Sequence, residues 1–326
     1  MPSPRVLIFD AGGTKLIGGV LDSDLTVHHR SRRLIAGLER DELLDIFAET
    51  VAEARAAAPD ALAVGFGIPS VIDRGRGLSV ESVHLPLDDL PFGAALEERV
   101  GLPVAWDNDT NLALLAELRL GAARGASEAL MLTIGTGIGG ALVLGGELYR
   151  GSVGAAGELG HMVVAVDGPP CQGGCPNRGC LEVLASGTAI GREGAVAAEA
   201  APDSALGQAL GNGQPATGAL VTALARSGDA VAAEVVELVG RRLGAGIASL
   251  VNVFNPEVVV LGGGAMGAGD LLLRPARAVV GQRALRPSRD GVRIVPARFG
   301  DEAGLMGAGL AAFEVAEGEE GEKRWR

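Results

Sequence analysis

The chain has 326 residues, 48 % hydrophobic and 3 % aromatic, with 51 glycines and a formal charge of −12 at pH 7. That length suits about two domains, and the negative charge excludes non-specific nucleic-acid binding, which needs clustered Lys and Arg. No apolar run reaches the length of a membrane span and the first residues carry no signal-peptide pattern, so a cytoplasmic protein is expected, with cores built from Ala, Val, Leu and Ile.

Arg5-Val6-Leu7-Ile8-Phe9 reads as a buried strand ending in Asp10-Ala11-Gly12-Gly13-Thr14-Lys15. Leu16 to Leu21 is again strand-like, and Leu25 to Arg30 is a candidate third strand. The G-x-x-x-x-G-K-[ST] spacing of a P-loop is absent. Even so, Gly12 and Gly13 let backbone N–H groups converge on an anion, Thr14 adds a hydroxyl and Lys15 a charge. Asp10 at the strand end suits a metal ion or its water shell. An ordinary hairpin turn is the competing reading. A helix is expected over Asp41 to Ala58, with Leu43, Leu44, Phe47, Val51 and Ala54 buried, then a strand from Ala61 to Gly67. The stretch on to Leu90, with Pro69, Gly75, Gly77 and Pro86, reads as an irregular loop that shapes a substrate pocket. Phe92 to Val100 is a helix.

The next stretch organises the rest. An extended run from Leu102 to Trp106 ends in Asp107-Asn108-Asp109-Thr110-Asn111, and the helical pattern Leu112, Leu115, Ala116, Leu118 follows. Charges at the end of a buried strand are costly unless something uses them. In open α/β sheets ligands sit at the carboxyl ends of strands, so Asp109 reads as a proton-handling group. Helix capping accounts for one of these polar residues, not all of them.

Leu130-Met131-Leu132-Thr133-Ile134-Gly135-Thr136-Gly137-Ile138-Gly139-Gly140-Ala141-Leu142 repeats the first strand–turn–strand grammar. Gly12 aligns with Gly135, Asp10 with Thr133 and Leu21 with Leu144. Two such units suggest two related domains whose turns hold a polyphosphate from both sides, closure excluding water. Chance likeness of two Gly-rich hairpins is the alternative.

Gly157-Glu158-Leu159-Gly160-His161 precedes all three cysteines, Cys171, Cys175 and Cys180. One His and three Cys at C-x₃-C-x₄-C spacing, bent by Gly173, Gly174 and Gly179, make the His-Cys₃ set of a structural zinc site; three free thiols are the alternative. A closed four-ligand site organises a loop rather than doing chemistry. Glu158 and Glu182 flank the ligands and could present carboxylates to a polyol. Leu181 to Ala198 reads as one helix, Pro202 to Pro215 as a Gly-rich linker, and Thr217 to Arg226 and Asp229 to Phe254 as helices. A strand from Glu257 to Leu261 runs into Gly262-Gly263-Gly264-Ala265-Met266-Gly267. That formally matches G-x-G-x-x-G, but Gln282 stands where a dinucleotide fold needs an acid. Gly263 and Gly264 therefore read as nucleoside contacts rather than as part of an NAD site. A strand from Val292 to Phe299 and a helix from Asp301 to Phe313 close the fold, and Glu317 to Arg326 is a charged tail expected to be disordered.

Together, Asp10 to Lys15, Asn108-Asp109, Gly135 to Gly140, Gly157 to His161 and Gly179-Cys180-Leu181-Glu182 resemble the ROK (repressor, ORF, kinase) family, most like its bacterial glucokinases. The likeness runs from Asp10 to Phe313. It implies an actin-like, ribonuclease H-like α/β fold of two domains with an ATP–Mg2+ site in the cleft. The expected division is residues 1–112 with about 301–326 as a small domain and 113–300 as a large one carrying the zinc loop. It implies Asp109 as general base, Asn108, Glu158, His161 and Glu182 as sugar contacts, His161 also as a zinc ligand, and a homo-oligomer, dimer or tetramer. Three positions depart from the family pattern. The cysteine spacing is usually C-x-C-x₄-C, which makes Cys171 the least secure ligand; His84 stands in place of an Asn; Ala11 replaces Ile. The first core strand begins at Arg5, so no helix-turn-helix domain of the regulatory members is expected. The resulting expectation is transfer of phosphate from ATP to the 6-hydroxyl of a hexose, most often glucose. A kinase for an N-acetylhexosamine or mannose comes next, and a sugar sensor or a nicotinamide oxidoreductase further behind.

Overall fold

The computed structural model describes residues 3–318, so the expected tail lies almost wholly outside the described residues. In chain order the elements are β1 (Arg5–Ala11), β2 (Lys15–Asp22), β3 (Val27–Leu34), α1 (Arg40–Ala57), β4 (Val64–Ile68), β5 (Val71–Asp73), β6 (Leu78–Glu81), α2 (Phe92–Val100), β7 (Val104–Asn108) and α3 (Asp109–Leu120). They continue with β8 (Ala129–Ile134), β9 (Ile138–Leu144), β10 (Glu147–Leu148), α4 (Leu181–Ala185), α5 (Gly187–Ala200), α6 (Ala205–Gly211), α7 (Gly218–Arg226) and α8 (Ala230–Phe254). The chain ends with β11 (Val258–Gly262), α9 (Asp270–Arg283), α10 (Ser288–Gly291), β12 (Arg293–Pro296) and α11 (Ala303–Glu317). Among the described residues no helix is long and apolar enough to cross a membrane.

Two compact units emerge. The first takes Met1–Gly125, Leu148–Ala156 and Glu302–Arg326, the second Ala126–Glu147 and Gly157–Asp301. The sheet of the first unit runs β3-β2-β1-β4-β7, that of the second β10-β9-β8-β11-β12. In each, a glycine-turn hairpin (β1–β2, β8–β9) is antiparallel and its first strand pairs in parallel with a later one (β4, β11). The repeat seen in the two glycine turns is thus a repeat of whole sheets.

The cores differ in composition. Phe9, Phe47, Phe66 and Phe92 are fully buried together in the first unit, with Phe47 and Phe66 ring centroids 4.8 Å apart and Phe92 5.3 Å from Trp106. The scarce aromatic residues are concentrated in one core, not spread thinly. The second core is aliphatic, with Leu243, Ile247 and Val251 of α8 against Val259 and Leu261 of β11. The final helix, α11, lies in the first unit: a Cβ on Gly65 of β4 would stand 1.9 Å from Ala308 O, and one on Gly307 would stand 1.8 Å from Leu112 O. Only glycine permits backbones to approach so closely.

Local chemistry accounts for several departures from the expected elements. The single helix expected over 181–198 is two, because Ser186 leaves helical geometry and its hydroxyl caps α5 at Ala189 N (3.2 Å). Within the expected linker, Ser204 caps α6 through Gly207 N (2.9 Å). The irregular stretch before Leu90 contains the β5–β6 hairpin, whose turn is closed by Arg76 N donating to Asp73 Oδ1 (3.1 Å). The strand expected over 292–299 stops at Pro296.

Candidate active site

In the first unit, β1 ends at the Ala11–Thr14 turn, closed by Gly12 N donating to Lys15 O (2.9 Å). The half-buried Asp10 carboxyl sits between glycines: a Cβ on Gly67 would come 3.1 Å from Asp10 Oδ1, and one on Gly304 2.9 Å from Oδ2. Burial, and then the charge of Asp109, push its pKa up to about 7, with Lys15 opposing. Asp10 and Asp109 are thus brought together. His84 lies against the same turn, its Cβ 2.8 Å from where a Gly13 Cβ would stand. The residue that departs from the pattern of the resembled family therefore neighbours the Gly12-Gly13 turn, a placement that sequence spacing gave no means of finding.

Three polar residues where β7 meets α3 divide their work. Asn108 is the N-cap of α3, its Oδ1 accepting from Thr110 N (2.9 Å) and Asn111 N (3.2 Å) while Nδ2 donates to Ser70 O (3.2 Å). Asp109 opens the helix and accepts from Thr110 N through Oδ1 (2.7 Å). Asp107 is buried and bound by Arg74 and Arg150. The sequence pointed to the carboxylates but not to these arginines, whose partners are remote in the chain.

In the second unit, the turn between β8 and β9 is held from several sides. Gly135 N donates to Gly137 O (2.9 Å) and Gly187 N to Gly135 O (2.8 Å). Gln172 Nε2 and Thr188 Oγ1 donate to Thr136 O (3.0 and 2.7 Å). Glu182 Oε2 accepts from Ile138 N (2.8 Å), and a Cβ on Gly137 would stand 2.2 Å from that oxygen. Glu182 therefore braces the turn, so one of its oxygens is already committed. Gly139 and Gly140 follow Ile138 in β9, opposite Thr133 and Leu132. Gly263, at φ +84°, lies over Ile134, where any Cβ would be 2.6 Å from the carbonyl oxygen. Gly264 follows at the start of a short helical turn. A pocket of about 370 Å³ lined by Ala225, Arg226, Ala268, Asp270, Leu271 and Arg274 adjoins that turn.

Glu158 is exposed, just ahead of the Leu159–His161 turn. Gly160 presses that turn onto β9, its Cβ position 2.1 Å from Ile138 O. His161, Cys171, Cys175 and Cys180 converge, with one ligand atom from each within 4.8 Å of the others. Cys175 and Cys180 Sγ are 3.9 Å apart, and Cys171 Sγ lies 3.6 Å from His161 Nδ1. A tetrahedral zinc with bonds of about 2.3 Å to sulfur and about 2.0 Å to nitrogen requires edges of roughly 3.8 and 3.5 Å, which these two pairs approach, and a His-Cys₃ donor set suits that ion. Burial and the crowding of thiols push the Cys171 pKa to about 12, and Cys180 is also raised, chiefly by burial. Cys171 takes its place in the cluster despite the altered spacing.

The profile of the ROK family matches residues 6–314. Glucokinase from Streptomyces coelicolor is 35 % identical over 316 residues, 94 % of this chain and 96 % of that protein. N-acetyl-D-glucosamine kinase from Pectobacterium carotovorum is 32 % identical, covering 93 % of this chain and 97 % of the relative. A solved ROK family glucokinase from Streptomyces griseus, in complex with glucose and AMPPNP, superposes with a TM-score of 0.84 at 33 % identity over 94 % of this chain and 99 % of that one. This match carries the actin-like two-domain ATPase fold, and the chain belongs to the ROK family.

Proposed function

We propose that the protein is an ATP-dependent sugar kinase that phosphorylates the 6-hydroxyl of a hexose, glucose first. The observation that carries this reading is the carboxylate of Asp109, set at the first turn of α3 beside Asp10 at the end of the glycine-turn strand. The solved glucokinase with glucose and AMPPNP supports the same chemistry. Asp109 takes the hydroxyl proton as general base, and the residues around it position and stabilise charge, which is most of what phosphoryl transfer asks of a protein. The Gly12–Thr14 and Gly135–Gly140 turns hold phosphate oxygens: the N–H groups of Gly12, Gly135 and Ile138 close or brace the turns themselves, and those of Gly13, Thr14, Thr136 and Gly137 are offered to the phosphates, while Lys15 adds charge and Gly263 and Gly264 approach the nucleoside. Asn108, Glu158, His161 and Glu182 contact sugar hydroxyls.

A Mg2+ ion bound with ATP supplies charge neutralisation at the phosphates, and Asp10 is suited to hold it or its water shell: a carboxyl whose ionisation is resisted by burial and then by a neighbouring acid gains from a cation. Zinc is read into His161, Cys171, Cys175 and Cys180, where it fixes the loop before Glu182. If His161 ligates through Nδ1, its Nε2 is left for a sugar hydroxyl. The reading also takes the protein to be a cytoplasmic homo-oligomer, in a compartment that keeps the thiols reduced.

A second substrate reading, an N-acetylhexosamine or mannose, draws on the N-acetyl-D-glucosamine kinase relative and on His84. For the base assignment, Asp109→Asn should lower kcat by about 10² or more with sugar affinity nearly unchanged. Wild-type turnover in that variant would remove Asp109 from the mechanism.

A further inference from the structure

Asp107 is the most heavily bonded carboxylate near Asp109, and the mechanism gives it no task. Its side chain is 2 % exposed. Oδ1 accepts from the backbone N–H of Asn108 (2.8 Å) and from Asn111 Nδ2 (3.1 Å), which ties it to the helical turn that carries Asp109. Oδ2 accepts from Arg150 Nε and Nη2 (2.8 and 2.6 Å) and from Arg74 Nη2 (3.0 Å). Arg74 belongs to the turn joining β5 and β6 and also donates to Trp106 O (3.3 Å). Arg150 belongs to the 148–156 excursion. That excursion is seated against β5 by Gly154, at φ +96°, where a Cβ would fall 1.9 Å from Ile72 O, and it is closed by Ala156 N donating to Arg150 O (3.0 Å).

Three stretches far apart in sequence therefore meet on one buried carboxylate, all within the first unit. Capping α3 requires none of this, since Asn108 already supplies the cap. A buried ion pair contributes little net stability when geometry is ordinary, and its best-supported use is to hold one arrangement against others. What this one holds is the first turn of α3.

We propose that Asp107, Arg150 and Arg74 form a positioning unit that aims the Asp109 carboxylate, with Arg150 as its main member. The proposal rests on the kinase reading above. Asp107 itself does not exchange a proton. Its Oδ1 fixes the turn, and the side-on fork of Arg150 stops the carboxylate from rotating away from Asn108 N and Asn111 Nδ2. Without Arg150, Oδ2 retains only Arg74, whose side chain is 49 % exposed, against 26 % for Arg150. A base displaced by about an ångström loses up to roughly 10² in rate.

The test uses the full-length protein. Arg150→Ala is assayed for kcat and for KM of glucose and ATP, with and without millimolar guanidinium ion, alongside its Tm. The expected result is a kcat lower by about 10- to 10²-fold, both KM values within about twofold of wild type, and partial recovery of kcat with guanidinium at constant Tm. Wild-type kcat, a loss carried in KM, or a loss that guanidinium leaves untouched would overturn the proposal. If Arg150→Ala does not fold, Arg74→Ala replaces it: a smaller kcat loss at constant KM supports the proposal and an unchanged kcat overturns it. A wild-type protein that consumes no ATP with any hexose defeats the kinase reading instead. An active wild type matched by an equally active Arg150→Ala defeats only the positioning role.

Discussion

Asp10→Asn should stabilise the protein in Mg2+-free buffer without nucleotide, and the gain should grow with pH. The folded carboxyl is pushed up to about 7 from the ordinary 3.8, by burial first and then by Asp109, against the opposing charge of Lys15. In the folded chain this group therefore holds its proton more tightly than in the unfolded chain. Its contribution is neutral below pH 3.8, becomes increasingly unfavourable as pH rises, and levels off above pH 7. At 1.36 kcal/mol per pKa unit the penalty is about 4 kcal/mol at pH 8 and about 2 kcal/mol at pH 5.5. An amide has the carboxyl's shape and no charge, so the variant escapes the penalty at both. Urea denaturation of both proteins at pH 5.5 and pH 8 gives the two stability differences. The advantage of the variant should widen by about 2 kcal/mol between those conditions. A difference that is the same at both pH values, or one that favours wild type at pH 8, would refute the reasoning. The stabilised variant should also be the poorer kinase, as expected where a site stores unfavourable charge for its ligand.

Two further predictions concern scaffold and metal. Cys180→Ser should lose bound zinc and unfold at lower temperature, because structural metal binding is coupled to folding. Metal analysis and thermal unfolding check this, and pure wild-type protein without zinc would contradict it. Gly65→Ala forces a methyl group to within 1.9 Å of Ala308 O. That should cost about 3 kcal/mol by displacing α11 from β4, and a loss under about 1 kcal/mol in denaturation would show that the helix yields freely.

How much of this could be read from the chain depends on how local each determinant is. The glycine turns, the capped helix after β7 and the His-Cys₃ cluster are written in short runs, so spacing alone located them. Ser186 and Ser204 are also local signals: each precedes a helix that the apolar pattern blurred, and as caps they split the stretch 181–198 and mark the start of α6. The Phe cluster was hidden because a low overall aromatic fraction says nothing of where four phenylalanines gather. The contact of His84 with Gly13 and the convergence of Arg74 and Arg150 on Asp107 depend on tertiary approach between segments that no period or motif relates. Glu182 shows the intermediate case. Its position flanking the cysteine ligands, two residues after Cys180, made it a candidate, whereas its bond to Ile138 N needed the folded chain.

The most direct test of the central claim is ADP release by the purified protein with ATP and Mg2+ across glucose, mannose, N-acetylglucosamine and N-acetylmannosamine. The account predicts sugar-dependent ADP release, with the highest kcat/KM for glucose and a hexose 6-phosphate as product. Tight sugar binding with no ATP consumed for any of the four would contradict it.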